Sequence, residues 1–207
     1  SVSLLRLQDG RTALFYGRKN SLQDCRPLMR VSTDEAESWS EPIEIIPDEE
    51  VGYYVLNNDR VVQLENGRLI VPVSRHHGPD WDEWTKYGNQ VCYLSDDDGA
   101  TWRRSKTVLT GQQTDGKRVM LQEPGVVELK DGRLMMWCRT GSGCQYVSSS
   151  EDGGETWSPT QPSDILSPRS PASIERIPST GDLVIVWNDH RHVPAAWKGK
   201  RTPLTVG

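Results

Sequence analysis

Ser95-Asp-Asp-Asp-Gly-Ala-Thr-Trp102 is the stretch that decides the fold, because related octapeptides stand at residues 150–157 and 32–39. The shared pattern is S-x-D-x-G-x-T-W, which we call the Asp turn. Serine and aspartate side chains hydrogen-bond the backbone of a tight turn, glycine supplies a positive φ, and tryptophan packs a large apolar surface beneath the turn. The copy at 32–39 is worn, with Ala36 at the glycine position, so we expect that turn to be strained or differently shaped.

Each Asp turn is expected to close a β-hairpin, and its recurrence indicates that the hairpin is a repeated unit. We therefore predict structural rather than catalytic roles for its recurring positions. These positions are Asp34, Asp97, Gly99, Trp102, Asp152, Gly154 and Trp157.

A second hairpin pattern precedes the Asp turns. Two apolar strands flank a turn glycine four times, at Gly10, Gly67, Gly132 and Gly181. Asn-Gly and Asp-Gly turns between such strands are a strong hairpin signal. Four-stranded sheets that recur with the spacing of these turn glycines predict an all-β fold. The expected fold is a β-propeller of four-stranded antiparallel blades.

The blades are predicted at approximately residues 1–46, 54–110, 119–165 and 169–207, within a single partial propeller domain. The last unit has no Asp turn, so about three and two-thirds blades of a propeller are expected. We expect the chain to be a piece of a longer protein, or to need other chains to close its ring. An open propeller exposes apolar blade faces and strand edges, which predicts self-association.

Composition limits the classes of partner. The chain has 207 residues, 35% of them hydrophobic, and a net charge of −5, which argues against nucleic acid or an anionic membrane as a partner. No apolar run reaches membrane-spanning length and no signal peptide is evident. If an upstream leader has been lost, we expect a secreted or periplasmic protein, and otherwise a cytoplasmic one. The four cysteines are interpreted as free thiols, with Cys138–Cys144 pairing across a hairpin as the alternative.

Strand direction separates the Asp turns from the candidate chemistry. In each antiparallel blade the start of strand one, the end of strand two and the start of strand three share one rim, and the Asp turn lies on the opposite rim. Arginines and a few carboxylates from all four blades gather on the shared rim. Arginine binds carboxylates through a two-pronged fork, so we predict a small anionic ligand, although any single one of these side chains could be a solvated loop residue. The candidates are Arg18, Asp24, Asp59, Arg60, Arg75, His76, Gln122, Glu123, Arg139 and Arg201.

One stretch carries a family likeness: Glu123-Pro-Gly-Val-Val-Glu-Leu-Lys-Asp-Gly-Arg-Leu-Met-Met-Trp-Cys-Arg139, followed by the Asp turn that ends at Trp157. It resembles a segment of the bacterial members of the sialidase (neuraminidase) superfamily, whose six-bladed propellers carry Asp turns known as Asp boxes. The resemblance implies that Glu123 is the carboxylate that polarises a nucleophilic tyrosine. It also implies that Arg139 belongs to an arginine triad that holds the sialic acid carboxylate, and it places Arg201 at another position of that triad.

The sequence departs from the family pattern in two ways. No Phe-Arg-Ile-Pro motif stands at the N-terminus, where the family places its first triad arginine, and the nucleophilic tyrosine would come from a blade beyond residue 207. The simplest register therefore makes residues 1–46 the second blade of six. In this register Asp24 is a subsite residue rather than the acid/base aspartate of the family, and Asp59 or Arg60 would be pocket residues particular to this subgroup.

The implied reaction is exo-sialidase hydrolysis of a terminal sialic acid, or a related acidic sugar, from a sialylated or acidic glycan, with retention of configuration. No cofactor is implied, and the 207-residue chain alone is expected to be inactive. Two alternatives stay open: a glycosidase or lyase acting on another acidic sugar with the same propeller, and a non-catalytic carbohydrate-binding propeller. The pairs His76-His77 and His190 with His192 could bind a metal, but we interpret them as hydrogen-bonding rim residues and predict no metal site.

Overall fold

The computed structural model describes residues 2–113 and 115–207, and its strands form antiparallel blades that follow the repeats of the sequence. This arrangement confirms the predicted all-β propeller fold. Blade 1 has four strands, β1 (Val2–Arg6), β2 (Thr12–Lys19), β3 (Cys25–Ser32) and β4 (Ile43–Glu44). A 3-10 turn at Asp48–Glu50 leads from this blade into the next.

Blade 2 begins with an interrupted strand. Both β5 (Tyr53–Val55) and β6 (Val62–Gln63) pair with β7 (Leu69–His77), so they are two halves of one first strand. The sequence predicts residues 57–60 at the entry of this strand, whereas the structure places them inside its interruption. Strands β8 (Asn89–Ser95) and β9 (Arg103–Arg104) complete the blade.

Blade 3 is a four-stranded antiparallel sheet preceded by a small hairpin that the sequence does not predict. The hairpin consists of β10 (Gly111–Gln112) and β11 (Arg118–Val119). The strands of the blade are β12 (Gln122–Glu128), β13 (Leu134–Arg139), β14 (Cys144–Ser150) and β15 (Gln161–Leu166).

Blade 4 has three strands, β16 (Ser173–Arg176), β17 (Leu183–Asn188) and β18 (Leu204–Val206). A 3-10 turn at Ala195–Trp197 lies in the long connection before β18. The hairpin glycine of this blade, like those of the other three, has a positive φ, which is why a glycine stands at each of these turns.

The first strands of the four blades line one open cleft of about 310 Å³, which we call the axial channel. It is lined by Leu5 of blade 1, residues 61–65 of blade 2, residues 126–128 of blade 3 and Glu175 of blade 4. The hydrophobic cores lie between the blades, since each core cluster draws its side chains from two neighbouring sheets. Burial of these faces against each other holds the blades together.

The Asp turn of blade 2 is closed by its own side chains. Asp97 accepts hydrogen bonds from the Ser95 hydroxyl at 2.8 Å, the Thr101 amide at 2.8 Å and the Thr101 hydroxyl at 2.6 Å. The indole of Trp102 donates to the carbonyl of Gly99 at 3.0 Å. These acceptor positions are occupied within the turn, which accounts for an aspartate at this place without any ligand.

The other two Asp turns have the same shape. Asp152 accepts from Ser150 and from Thr156, and Trp157 donates to the Gly154 carbonyl. The worn copy also keeps this shape, because Ala36 adopts a φ of 71°. This turn was expected to be either strained or differently shaped, and the structure shows a strained backbone at Ala36.

Each intact Asp turn presses against the preceding blade. A Cβ at Gly99 would lie 2.4 Å from the sulfur of Met29 in blade 1, and one at Gly154 would lie 3.2 Å from Ile70 in blade 2. Trp102 also meets Phe15 of blade 1 edge-to-face, with ring centroids 6.4 Å apart. The Asp turn is therefore a contact between blades as well as a hairpin closure.

Apolar side chains are exposed on the outer faces of the first and last blades. Val2 and Leu4 are 50% and 59% exposed, and Leu204 and Val206 are 73% and 66% exposed. Self-association through these faces stays a prediction.

Within the described residues no helix has the length and apolar character needed to span a membrane. All four cysteines are free. Register explains why Cys138 and Cys144 are not joined, because Cys138 lies opposite Tyr146 and the Cys144 carbonyl accepts from the Thr140 hydroxyl at 2.6 Å.

Gly99→Ala tests the contact between blades. The new methyl group would meet Met29 and would be held at a φ of 89°, so we expect the free energy of unfolding to fall by about 2–4 kcal/mol. Gly132→Ala is the matched control, since Gly132 has a φ of 82° with nothing within 4 Å of the added Cβ. It should lose only about 1 kcal/mol in the same urea titration, and equal losses in both variants would contradict the contact.

Candidate functional site

Glu123 stands on a bulge at the start of β12. The pairing of β12 with β13 is irregular between Gln122 and Gly125, and Glu123 adopts a φ of 53°. Gly125 is required here, because a Cβ at this position would lie 2.2 Å from the Trp137 ring. A bulge redirects side chains at the end of a strand, and this one turns the Glu123 carboxylate toward Arg139.

Arg139 ends β13 directly opposite Gln122. One Nη of its guanidinium donates to the Glu123 carboxylate, and the other donates to the Gln122 side-chain oxygen at 2.5 Å. Both charged side chains are largely buried, with Arg139 13% and Glu123 19% exposed. Burial lowers the pKa of Arg139, the Glu123 charge opposes that shift, and the charges of Arg201 and Arg169 add to it.

Two buried atoms of this pair are without partners among the described residues. The second carboxylate oxygen of Glu123, Oε2, accepts no hydrogen bond, and Nε of Arg139 donates none. Buried polar atoms are normally hydrogen-bonded, so this unsatisfied acceptor and donor are the features of the pair that point to chemistry rather than to packing.

The pair lies at the end of blade 3 away from its Asp turn. Cys138 is opposite Tyr146, near Arg139, whereas Leu134 at the other end of β13 is opposite Ser150, where the Asp turn begins. Antiparallel register therefore separates the two features by the length of a strand.

Arg60 lies beside the pair but faces the protein interior. It is 3% exposed, and its guanidinium donates to the Ala172 carbonyl at 2.6 Å and the Ser173 hydroxyl at 3.3 Å. It also stacks on the Trp137 ring at 5.3 Å. Burial lowers its pKa, and the Glu123 carboxylate opposes this shift. The expectation of Arg60 as a pocket residue is therefore corrected, because its donors join blade 2 to blade 4.

A family model described as a BNR repeat-like domain matches residues 2–207. The chain belongs to the BNR repeat-like family. The resemblance to the sialidase superfamily is confirmed by this match together with the relatives and solved structures that follow.

This BNR repeat-like chain is similar to known sialidases over part of their length. It is 33% identical to the anhydrosialidase of Macrobdella decora in an alignment 170 positions long that covers 76% of this chain and 20% of that protein. The intramolecular trans-sialidase of Ruminococcus gnavus, solved with oseltamivir carboxylate, is 27% identical with a TM-score of 0.59, over 80% of this chain and 34% of that chain. The Trypanosoma rangeli sialidase, solved with the inhibitor DANA, has a TM-score of 0.67 at 17% identity, over 99% of this chain and 36% of that chain, and shows the fold alone. The chain spans only a fifth to about a third of these proteins.

His76 lies near the pair and is buried. Its Nδ1 contacts the Thr85 carbonyl at 2.8 Å, which makes Nδ1 the protonated ring nitrogen, and its ring stacks on Trp84 with centroids 5.0 Å apart. Burial lowers the pKa of His76, and the Arg139 charge lowers it further. His76 therefore serves as a neutral hydrogen-bond donor in this wall. No group of three or more metal-ligating side chains occurs in residues 2–113 and 115–207.

Other predicted rim residues of this BNR repeat-like chain have partners away from the pair. Arg18 pairs with Glu44 at 2.8 Å, and Asp24 pairs with the buried Arg26 at 2.9 Å, both within blade 1.

Arg75 and Asp59 also lie away from the Glu123–Arg139 pair. Arg75 stacks on the rings of Tyr54 and Trp81. Asp59 lines the axial channel. The structure thus brings Gln122, Glu123 and Arg139 into contact, with His76 and Arg201 near Arg139, and it leaves Arg18, Asp24, Asp59 and Arg75 away from the pair.

Two cationic residues of this rim, Lys86 and Arg118, were not predicted to lie there, whereas Arg169 belongs to the group of rim arginines that the sequence predicts. Arg169 lies close enough to influence Arg139, and Lys86 and Arg118 line a cleft with it. No motif marks Lys86 or Arg118, and the one sequence signal beside them is the group of aromatic residues Trp81, Trp84 and Tyr87.

Arg60→Met tests the join between blades 2 and 4. Removing the guanidinium takes one donor from the buried Ala172 carbonyl and one from the Ser173 hydroxyl, so we expect a loss of about 1–3 kcal/mol in the free energy of unfolding. Arg133→Met is the control, because Arg133 is 51% exposed and pairs only with its neighbour Asp131. Its free energy of unfolding should change by no more than about 0.5 kcal/mol. A similar loss in both variants would show that Arg60 does not hold blades 2 and 4 together.

The titration of His76 gives a pH prediction. Its pKa is lowered from 6.5 in the folded chain, so the unfolded chain takes up the proton first as the pH falls. The stabilisation is complete above the unfolded pKa and is lost as the pH falls below it. NMR titration of the imidazole, assigned with His76→Gln, should give a midpoint below 6.5, and a midpoint at or above that value would contradict the buried neutral ring.

Proposed function

We propose that this site belongs to an exo-sialidase-like glycosidase that releases a terminal sialic acid or a closely related acidic sugar. The observation that carries the proposal is the buried Glu123–Arg139 pair, in which Glu123 keeps one oxygen without a donor among the described residues. A purely structural ion pair would gain from satisfying that oxygen.

Arg139 would hold the substrate carboxylate. Each Nη of a guanidinium carries two N–H groups, so Arg139 can contact Glu123 and Gln122 and still present N–H groups to an anion. Arg201 and Arg169 add positive charge on the same side, as their effect on the Arg139 pKa indicates. The carboxylate inhibitor in the R. gnavus structure is in keeping with an anionic ligand for this site.

Glu123 would act on a nucleophile. Sialidases use a tyrosine because a carboxylate nucleophile would be repelled by an anionic substrate. Oε2 of Glu123 is suited to accept the proton of such a tyrosine, which by the family pattern comes from a further blade. The arginines then stabilise charge around an oxocarbenium-like transition state, from fixed positions that need no reorganisation.

The two alternative functions predict different behaviour from the same protein. A glycosidase or lyase for another acidic sugar would bind and cleave that sugar but not a sialoside. A carbohydrate-binding propeller would bind a sialoside without turnover. The buried, incompletely hydrogen-bonded carboxylate favours an enzyme over a binding module, because a binding site for an anion gains nothing from a negative group at its centre.

Glu123→Gln and Arg139→Ala test the proposal in the complete protein with a fluorogenic sialoside. We expect kcat/KM to fall by a factor of about 10² to 10⁴ in each, through loss of the base for the nucleophile and of the anion fork. Arg133→Ala, on an exposed turn of the same blade, should keep the wild-type rate. Unfolding midpoints near wild type exclude misfolding, and undiminished turnover in both site variants would refute the assignment.

A further inference from the structure

A second cleft borders the Glu123–Arg139 pair. It has a volume of about 240 Å³, and its polar walls are formed by Lys86, Arg118 and Arg169 around the ring of Tyr87. Among the residues that the structure describes, no carboxylate lines it. In a chain with a net charge of −5, a cleft bounded by three cations and no acid is a local reversal of the overall charge.

These three cations have no ion-pair partners within the described residues, although most arginines elsewhere in the chain do, as Arg18 does with Glu44 and Arg103 with Asp96. Arg118 donates only to neutral acceptors, the Tyr87 carbonyl at 3.3 Å and the Asn89 side-chain oxygen at 3.4 Å. Unpaired cations that face one another repel. An anion in the cleft would remove that repulsion.

The cationic groups are held in place by an aromatic ring. The Arg118 guanidinium lies 5.0 Å from the Tyr87 ring centroid, and the Lys86 ammonium lies 5.2 Å from it. Such cation–π contacts orient a flexible side chain without neutralising its charge. Both heads therefore stay available to a ligand.

Gln122 connects this cleft to the proposed reaction site. Its side-chain oxygen accepts from Arg139 at 2.5 Å, and its side-chain nitrogen donates to the Lys86 carbonyl at 3.2 Å. Gly141, two residues after Arg139, lines the cleft as well. A sugar attached to the one held by Arg139 would thus have this cleft as a neighbour.

We propose that the cleft of Lys86, Arg118 and Arg169 binds a second anionic group of the glycan, a sulfate or a carboxylate, on a sugar next to the one that Arg139 holds. Its position next to the cleaved sugar rests on the proposed function, whereas the binding of an anionic saccharide rests on the cleft alone. The complete protein would then prefer sulfated or multiply acidic glycans over neutral ones.

Direct binding tests the cleft without any turnover. We would titrate the complete protein with lactose, lactose 6′-sulfate and a glucuronyl disaccharide at low salt, following the affinity by NMR. We expect the anionic sugars to bind about tenfold more tightly than lactose, because charge-assisted hydrogen bonds are roughly twice as strong as neutral ones. A preference for the sulfate or for the carboxylate identifies which group the natural glycan carries.

Matched variants locate the effect. Lys86→Gln and Arg118→Gln should each reduce the affinity for the anionic sugars about three- to tenfold and leave lactose binding unchanged. Lys117→Gln is the control, because Lys117 neighbours Arg118 in the chain and has the same charge but pairs with Asp115 at 2.7 Å outside the cleft. Equal affinities for lactose and its sulfate, or the same loss in the Lys117 variant, would overturn the proposal.

A separate measurement of turnover keeps the two proposals apart. With sialosides that differ only in a sulfate on the second sugar, the sulfated one should have the lower KM, and Arg118→Gln should bring the KM ratio close to one. Absence of any sialoside cleavage would refute the proposed function, while the disaccharide titration would still decide the anion cleft.

Discussion

The close approach of each Asp turn to the preceding blade is the constraint on which the structure depends. At Gly99 the backbone comes so near to Met29 that a Cβ would lie 2.4 Å from its sulfur. A glycine at this place allows both the positive φ and the contact, and Trp102 then covers Phe15. Because the same contact recurs at Gly154 against Ile70, successive blades are stacked by the same device, and the axial channel follows from the stacking.

Antiparallel pairing determines where the candidate functional residues lie relative to the Asp turns. The Asp turns lie on one rim, so the second strand of each blade ends on the opposite rim. Arg139 is the last residue of β13, the second strand of blade 3. The bulge before Gly125 turns Glu123 toward it, and the missing Cβ of that glycine allows the Trp137 ring to pack beneath. Arg60 stacks on the same Trp137 ring and donates to the Ala172 carbonyl, so that residues of three blades meet beneath the site.

The sequence alone predicted the features that depend on local pattern. The propeller follows from turn glycines and apolar strands, and the expectation that Glu123 and Arg139 share one rim follows from the hairpin that Gly132 closes. Features that depend on which way a side chain turns were not predictable. Arg60 was expected in the pocket, but the interrupted first strand of blade 2 turns it inward.

Surface partners were equally hidden from the sequence, because the pattern of residue types does not show which charged side chains pair with one another. Asp24 was placed on the right loop, yet it is paired with Arg26 of its own blade. Lys86 and Arg118 carry no motif, and Arg118 belongs to a short hairpin whose two-residue strands are too brief to leave a periodic signal. Their meeting over Tyr87 is visible only in three dimensions.

Charge balance links the reaction site with its neighbouring cleft. Glu123 can neutralise one positive charge, and it is already committed to Arg139, while Arg169, Arg201, Lys86 and Arg118 have no carboxylate partner among the described residues. Most other arginines of this chain are paired, as Arg26 is with Asp24 and Asp48. A group of unpaired like charges raises the electrostatic energy of the empty site. Ligand binding lowers that energy only if the ligand is anionic. A neutral glycan would leave that repulsion in place, so the electrostatics of this rim select for acidic saccharides before any contact specific to a particular sugar is made.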